Sequence, residues 1–456
     1  MRDNNRLDAI SEMLALSSLA AKKNIIFSGL ELKGPMNVQA MIEGVRRAAK
    51  RFPNFQSTLE EIKIKGRFHL ISKFNPGMKL PSGFHELKIA DESATLLNNV
   101  LYTLSHRLDR DWDLSKESPL ESYLIRVSDE HHVLATFNHH WAGDVGSLME
   151  YGQALMAKYH ELVKGEKPHW ENQPLAISSS KKRQVENRRA KKQAWLENAR
   201  ETLSGFLKSP SIPKGSGEPN DDRQFHVKRV LSPSDSRNLT HRTGLTRALL
   251  PDRLTAATHF AVDQWNWQRG ISPGKLTSSM TVNMRGRYKA LNNPNNSALI
   301  FLNSTPSERT DSNKFCRSLA RQRMKCFRAQ TDFSYYQKLE RFNNTVRMLP
   351  FHLRRRVVSF IMDKHEVSVA ITLLGVLWPL MENGRASGET FLEKTGDLVM
   401  TEVHGLGYKL ASSTRLLLVA YIFRGQFNMI LTSSATLFTR QESELFIDLI
   451  IKNLLI

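Results

Sequence analysis

Residues 139–146 read His-His-Trp-Ala-Gly-Asp-Val-Gly. An imidazole that is neutral near pH 7 can take a proton from a hydroxyl or an amine if a neighbouring group orients it. The carboxyl of Asp144, four residues past His140, is such a neighbour. A histidine pair standing alone is ordinarily structural or solvated, so the flanking sequence decides. Before the pair runs a β-like stretch, His132 to Asn138, and after it comes a strongly periodic helix pattern that ends at Gly165. The histidines therefore fall at a strand end and Asp144 in a strand-to-helix loop, where reactive groups are commonly presented.

The elements that must hold this loop can be read outward from it. Residues 120–140 alternate as two antiparallel strands with a turn at Ser128-Asp129-Glu130. Upstream, 36–53 has apolar residues at helical spacing and stops at Pro53, 62–74 has the pattern of a hairpin, and 96–108 reads as a helix. Residues 166–224 shift to Pro, Ser, Gly, Lys and Arg and read as a connector. A second αβ series follows: a helix at 246–265, a strand at 275–285, helices around 312–329 and 351–364, a buried strand in 367–381, a hairpin in 413–438 and a closing helix. The expected division is a lobe at 1–170 carrying the motif, a basic connector at 171–225 and a second lobe at 226–456. A chain of 456 residues is too long for one core, which agrees with two lobes.

The formal net charge of +20 implies attraction to something acidic. The only two cysteines, Cys316 and Cys326, have neither a common zinc spacing nor a disulfide framework, so no metal site is expected and a reducing cytoplasm fits. The N-terminus has no apolar signal-peptide core, and the longest apolar run is too short to span a bilayer. There is no GxSxG elbow, and neither cysteine sits in a nucleophile motif. Zinc-finger, RNP-like and helix-turn-helix signals are absent, so nucleic acid is not expected as a partner.

The motif and its flanks resemble the CoA-dependent acyltransferase superfamily, which includes nonribosomal peptide synthetase condensation domains, wax ester synthases and alcohol acyltransferases. Its signature, HHxxxDG, is matched by His139, His140 and Asp144. The glycine after the aspartate is replaced by Val145, with Gly146 one residue later. RDWDLSKESPLESYLIRVSDEHHVLATFNHH is similar to the family's run into the motif, KYHELVKGEKP to the stretch closing the next helix, and TVNMRGR (281–287) to its "vNxR" strand. NNPNNSALIF (292–301) lies where the family often has Gly-Asn. The plant-type DFGWG motif is absent, and no carrier, adenylation or reductase module accompanies the motif, which points to a free-standing member.

The resemblance implies an α/β (α+β) fold of two chloramphenicol-acetyltransferase-like lobes. Each would be a mixed sheet flanked by helices, with an active-site tunnel between them. It implies His140 as general base, attack of a hydroxyl or amine on an acyl thioester, and no acyl-enzyme. The donor would be acyl-CoA or a phosphopantetheinyl acyl-carrier protein, with no permanently bound cofactor. The acceptor would be a small molecule or a lipid, in natural-product or lipid biosynthesis. Asp144 would pair with an arginine of the other lobe, Arg285 first and Arg287 second, while His139 and Gly143 support the loop. Backbone N–H groups beside the motif would serve the oxyanion. Trp141 would either line the tunnel or pack. The basic run 181–192 is a solvated helix face, a carrier-docking site or an anionic-lipid contact. The basic amphipathic 348–364 either covers a core or lies on the inner membrane face. The alternative function is a catalytically silent, condensation-like protein that recruits a carrier.

Overall fold

The computed structural model describes residues 6–18, 24–88, 95–105, 112–171, 210–241, 249–285, 295–328, 331–364, 366–382, 385–392, 394–407, 410 and 414–456. The first half runs α1 (Ala9–Ser18), β1 (Ile25–Lys33), α2 (Val38–Ala49), β2 (Ser57–Ile64), β3 (Arg67–Phe74), β4 (Ser82–Glu86), α3 (Leu96–Thr103), β5 (Leu120–Ser128), β6 (His131–His139) and α4 (Val145–Lys164). The second half runs β7 (Gln224–Val230), α5 (Pro233–His241), α6 (Leu250–Trp267), β8 (Leu276–Asn283), β9 (Ser297–Ser304), α7 (Ser312–Arg328), α8 (Thr331–Val346), α9 (Phe351–Lys364), β10 (Val369–Val376), β11 (Pro379–Glu382), β12 (Arg385–Thr390), β13 (Lys394–Thr395), β14 (Leu398–Gly407), β15 (Leu416–Phe423), β16 (Gln426–Ser434) and α10 (Arg440–Leu455).

Two six-stranded mixed sheets organise these elements. One has the order β13-β14-β1-β6-β5-β4, the other β7-β16-β15-β10-β8-β9. The first is antiparallel except for β4 beside β5. The second holds β10 parallel to both β8 and β15. The expected two lobes of flanked mixed sheets are therefore present. Chain order and sheet membership do not coincide, however: β13 and β14 come from the second half and add to the first sheet beside β1. They tie the two lobes together.

The site is carried by β6 and α4. In β6, eight of nine residues are buried, because the strand lies between β1 and β5 in the sheet interior. Asp144 caps α4 by accepting the N–H of Ser147, and Gly165 ends the helix in the left-handed conformation at φ 79. Gly44 of α2 packs against the α4 backbone, where its missing Cβ leaves 3.5 Å to the Tyr159 nitrogen. Helix α9, basic in sequence, covers a core: Arg354 and Val358 are fully buried. Arg354 pairs with Glu12 of α1 and Glu61 of β2. Among the described residues, no helix is long and apolar enough to cross a membrane.

The run 367–381 is less uniform than its apolar sequence. Val369 and Ile371 are buried in β10, but Gly375 and Trp378 take positive φ and end the strand before Pro379. Residues 172–209, including the basic run 181–192, and Arg287 lie outside the described residues.

Candidate active site

His139 ends β6, where it pairs in register with Ile25 of β1. Its side chain is buried among the lobe's core residues, 6.3 Å in ring-centroid distance from Trp112. The Trp141 N–H donates to its Nδ1 at 3.4 Å, and the Ala142 N–H to its backbone carbonyl at 3.0 Å. Burial, with neighbouring His140, pushes the His139 pKa down to about 3. Such a ring stays neutral and supports the loop from beneath. Trp141 is 1% exposed and packs in the core.

His140 points the other way, towards the second lobe, and is half-buried. Its backbone N–H donates to Asn24 O at 2.8 Å. Its Nδ1 lies 3.1 Å from Asn295 Oδ1, just before β9. Burial lowers its pKa below the ordinary 6.5, while Asp144, a bond from the ring to its own backbone carbonyl and Asn295 act against that fall. A neutral imidazole at pH 7 is the form a general base needs.

Asp144 is the busiest acceptor of the site. Arg285 Nη1 donates to Oδ2 at 2.7 Å, and Arg285 Nη2 lies 2.5 Å from Oδ1. The Asn296 N–H and the Ser297 hydroxyl also donate to Oδ2, at 3.1 and 2.9 Å. Burial raises the Asp144 pKa, but the Arg285 guanidinium and the Ser147 N–H outweigh it and hold the carboxyl below its ordinary value. Arg285 also donates to Ser147 Oγ at 2.9 Å. These donors occupy both carboxylate oxygens.

Two glycines make the close packing possible. A Cβ on Gly143 would stand 2.8 Å from Ser147 Cβ and 3.2 Å from the Phe55 ring. A Cβ on Gly146 would stand 2.5 Å from Arg285 Nη1. The shifted glycine of the motif is thus the floor on which the guanidinium rests. The carbonyl of Gly143 accepts from Asn138 Nδ2 at 2.8 Å, which fixes the loop to its own strand.

The structure therefore brings together His140, Asp144, Gly143 and Arg285, with His139 packed behind them. The residues that sequence reasoning missed are Asn295, Asn296, Ser297 and Ser147. All four are polar groups clamped onto the motif. Beside the loop, Val145, Leu148 and Met149 face Leu374, Leu377, Trp378 and Tyr421 across a narrow apolar crevice at the lobe seam. The Trp141 and Ala142 N–H groups both face His139.

Among the described residues, one cluster has metal-ligand chemistry. Glu31, Glu402 and His404 place one ligand atom each within 4.8 Å of one another. Six residues of β1 separate Glu31 from Ile25, so the cluster lies about 20 Å from the histidine pair. The Lys228 ammonium already contacts Glu402 and donates to Val403 O at 2.9 Å, supplying the cation that these carboxylates require.

No family model matches the chain. A stretch of 154 residues is 27% identical to nonribosomal peptide synthetase TES of Alternaria alternata, covering 32% of this chain and 3% of that protein. Another of 87 residues is 30% identical to an isonitrile lipopeptide synthase of Mycobacterium tuberculosis, covering 19% and 4%. The chain thus spans 4% or less of the length of these curated relatives. Among solved structures, it matches the first condensation domain of the CDA synthetase with TM-score 0.66 at 11% identity, covering 99% of this chain and 95% of that one. It matches the TRI3 trichothecene 15-O-acetyltransferase of Fusarium sporotrichioides with TM-score 0.68 at 10% identity, covering 99% and 95%. A mutant starter condensation domain of rhizomide synthetase RzmA, in complex with C8-CoA and Leu-SNAC, matches with TM-score 0.64 at 11% identity, covering 99% and 93%. The chain thus shares the two-lobed fold of these condensation domains and of the acetyltransferase.

Proposed function

We propose that this protein is an acyltransferase that moves an acyl group from a thioester to a hydroxyl or amine, with His140 as general base. The observation that carries the reading is the placement of a neutral, half-buried His140 at the seam of a condensation-like fold. It is held there by a buried Asp144–Arg285 pair that joins the lobes. The donor is acyl-CoA or an acyl-phosphopantetheinyl carrier protein. The rhizomide synthetase domain, in its complex with C8-CoA, is a relative of this fold whose ligand is a donor of that class.

The acceptor O–H or N–H approaches His140 and loses its proton to the ring as its lone pair forms a bond to the thioester carbonyl carbon. The carbonyl electrons move onto oxygen. They return as the C–S bond breaks, and the imidazolium gives its proton to the departing thiolate. No bond to the protein forms. The net positive charge of the chain favours the phosphate-bearing donors electrostatically, in a salt-dependent way.

The test is a donor and acceptor panel. Acetyl-, octanoyl- and palmitoyl-CoA and the matching acyl-carrier proteins are each mixed with pooled alcohols and amines, and products are read by mass. One donor class should give ester or amide that disappears in His140→Ala. A carrier protein that binds without any product from any donor would support the silent recruiting role instead.

A further inference from the structure

We propose that the outer face of α9, together with the tip of the β2–β3 hairpin beside it, is a docking surface for an anionic lipid bilayer. The proposal concerns a surface away from the motif loop and does not depend on the acyl-transfer reading.

Helix α9 has two faces. Arg354 and Val358, four residues apart, are fully buried on one. Leu353, Arg356 and Phe360 fall at i, i+3 and i+7 and share the other, where all three are exposed. Leu353 is 38% and Phe360 63% exposed, and Met348, just before the helix, is 68% exposed. Large apolar side chains grouped within a polar rim mark an interaction site.

The rim here is basic. Arg355 and Arg356 lie on α9 itself. Lys63, Lys65 and Arg67 crowd the hairpin tip, where Lys65 and Gly66 take positive φ to make the turn. The tip abuts α9. The Phe68 N–H donates at 2.7 Å to the carbonyl of Arg347, the residue before Met348, and Arg354 Nη2 donates to Glu61 Oε1 at 2.6 Å. Lys63 stands over the Phe68 ring at 5.2 Å. Among the described residues, no carboxylate pairs with Lys63, Lys65, Arg67, Arg355 or Arg356. The positive field of this corner reaches inward. His69 of β3 is held down to about 4, by burial first and then by Arg347, Arg6, Arg354 and Arg67.

Apolar groups ringed by cations suit a bilayer of acidic lipids. The apolar groups enter the boundary of the acyl chains, and the cations meet the phosphates. A helix face and a hairpin tip are convex, and a fluid bilayer moulds around them without needing a complementary pocket. The net charge of +20 draws the whole chain towards such a surface. Helix α1 lies between this face and the motif loop. Its Glu12 pairs with Arg347 and Arg354, and its Ser11 accepts from Asn295, which contacts His140. Docking therefore holds the motif loop one helix away from the lipid.

The test is co-sedimentation of the full chain with vesicles of phosphatidylcholine alone and of equal parts phosphatidylcholine and phosphatidylglycerol. The chain should pellet with the mixed vesicles only. Raising salt from about 0.1 to about 1 M should weaken binding, since the Debye length falls from about 10 to about 3 Å. Lys65→Gln combined with Arg356→Gln should weaken it about 25-fold, at about fivefold per cation. Leu353→Ser combined with Phe360→Ser should weaken it about tenfold. Lys275→Gln removes an exposed cation before β8 in the other lobe and should bind like wild type. If one double variant does not fold, the other, the Lys275 control and the salt series decide. Equal binding to both vesicle types, no binding to either, or a loss per cation at Lys275 equal to that at Lys65 and Arg356 would overturn the proposal. So would an acidic carrier protein that binds the wild type and not Arg356→Gln while vesicles do not bind. Sedimentation needs no turnover, so the surface is tested whether or not the chain transfers acyl groups.

Discussion

Arg285 Nη1 and Asp144 Oδ2 meet at 2.7 Å although 141 residues separate them in the chain. One sits past the end of β8 in the second lobe, the other caps α4 in the first. Removing one member of a buried ion pair leaves the other as an uncompensated charge, which costs about 3–5 kcal/mol. Arg285→Met should lower unfolding free energy by roughly that much in urea titration. Adding Asp144→Asn should return part of the loss, because no unpaired charge remains. A single-variant loss below about 1 kcal/mol would contradict a buried clamp.

Gly146→Ala gives a test in which two principles oppose each other. Alanine is favoured over glycine in a helix by about 1 kcal/mol. Here the added Cβ would stand 2.5 Å from Arg285 Nη1, so the guanidinium must leave Asp144. The expected result is net destabilisation of about 1–3 kcal/mol and a fall in activity. A stabilised variant with full activity would show that the guanidinium does not depend on this floor.

Buried histidines predict a loss of stability in acid. His139 and His259 are each held down to about 3 by burial. The unfolded chain takes up these protons below the ordinary 6.5, and the folded chain does not until about pH 3. Their contribution is therefore complete above pH 6.5 and shrinks as pH falls through that window. Asp8, raised to about 6 by burial, has the opposite sign, since the folded chain takes its proton first. Two histidines outweigh it, so the urea midpoint should fall between pH 7 and 5. A midpoint that rises would contradict the burial of these rings.

The same direction governs catalysis. Burial holds the His140 pKa below 6.5, so the base form persists at lower pH than for a free histidine. The acid limb of kcat/KM should have its midpoint below pH 6.5. A midpoint above 7 would require a different base.

Arginines that look alike in sequence should behave differently in α9. Arg354 is fully buried against Glu12 and Glu61, while Arg356 is exposed. Arg354→Ala should cost about 3 kcal/mol or more, and Arg356→Ala within about 0.5 kcal/mol, by urea titration. Equal effects would mean that the helix is held by its apolar residues alone.

Local features were readable from the chain, and long-range ones were not. The β5–β6 hairpin followed from alternation around Ser128-Asp129-Glu130, and α4 from its periodicity and Gly165, because both are set by neighbours in sequence. Arg285 was found through the VNMR pattern, whereas its support by Gly146 was not, since that contact exists only across the seam. Basic 348–364 reads as a helix that more often covers a core, with a membrane surface as the alternative, and its sequence does not show how Arg354 is buried, because its partner Glu12 lies 342 residues away. Helix α8 was missed since TDFSYYQKLERFNNTV lacks a clean apolar stripe. No local signal places β14 beside β1 in the first sheet. Asn295 was passed over in an asparagine-rich stretch, and only its four contacts single it out.

The most direct measurement is thiol release from the acyl donor by wild type and His140→Ala side by side, with intact-protein mass followed during turnover. The account predicts acceptor-dependent release in the wild type, at least about 100-fold slower release in the variant, and no acyl adduct on the protein at any time. Equal release by both proteins, or a protein adduct that forms and decays at the turnover rate, would contradict it.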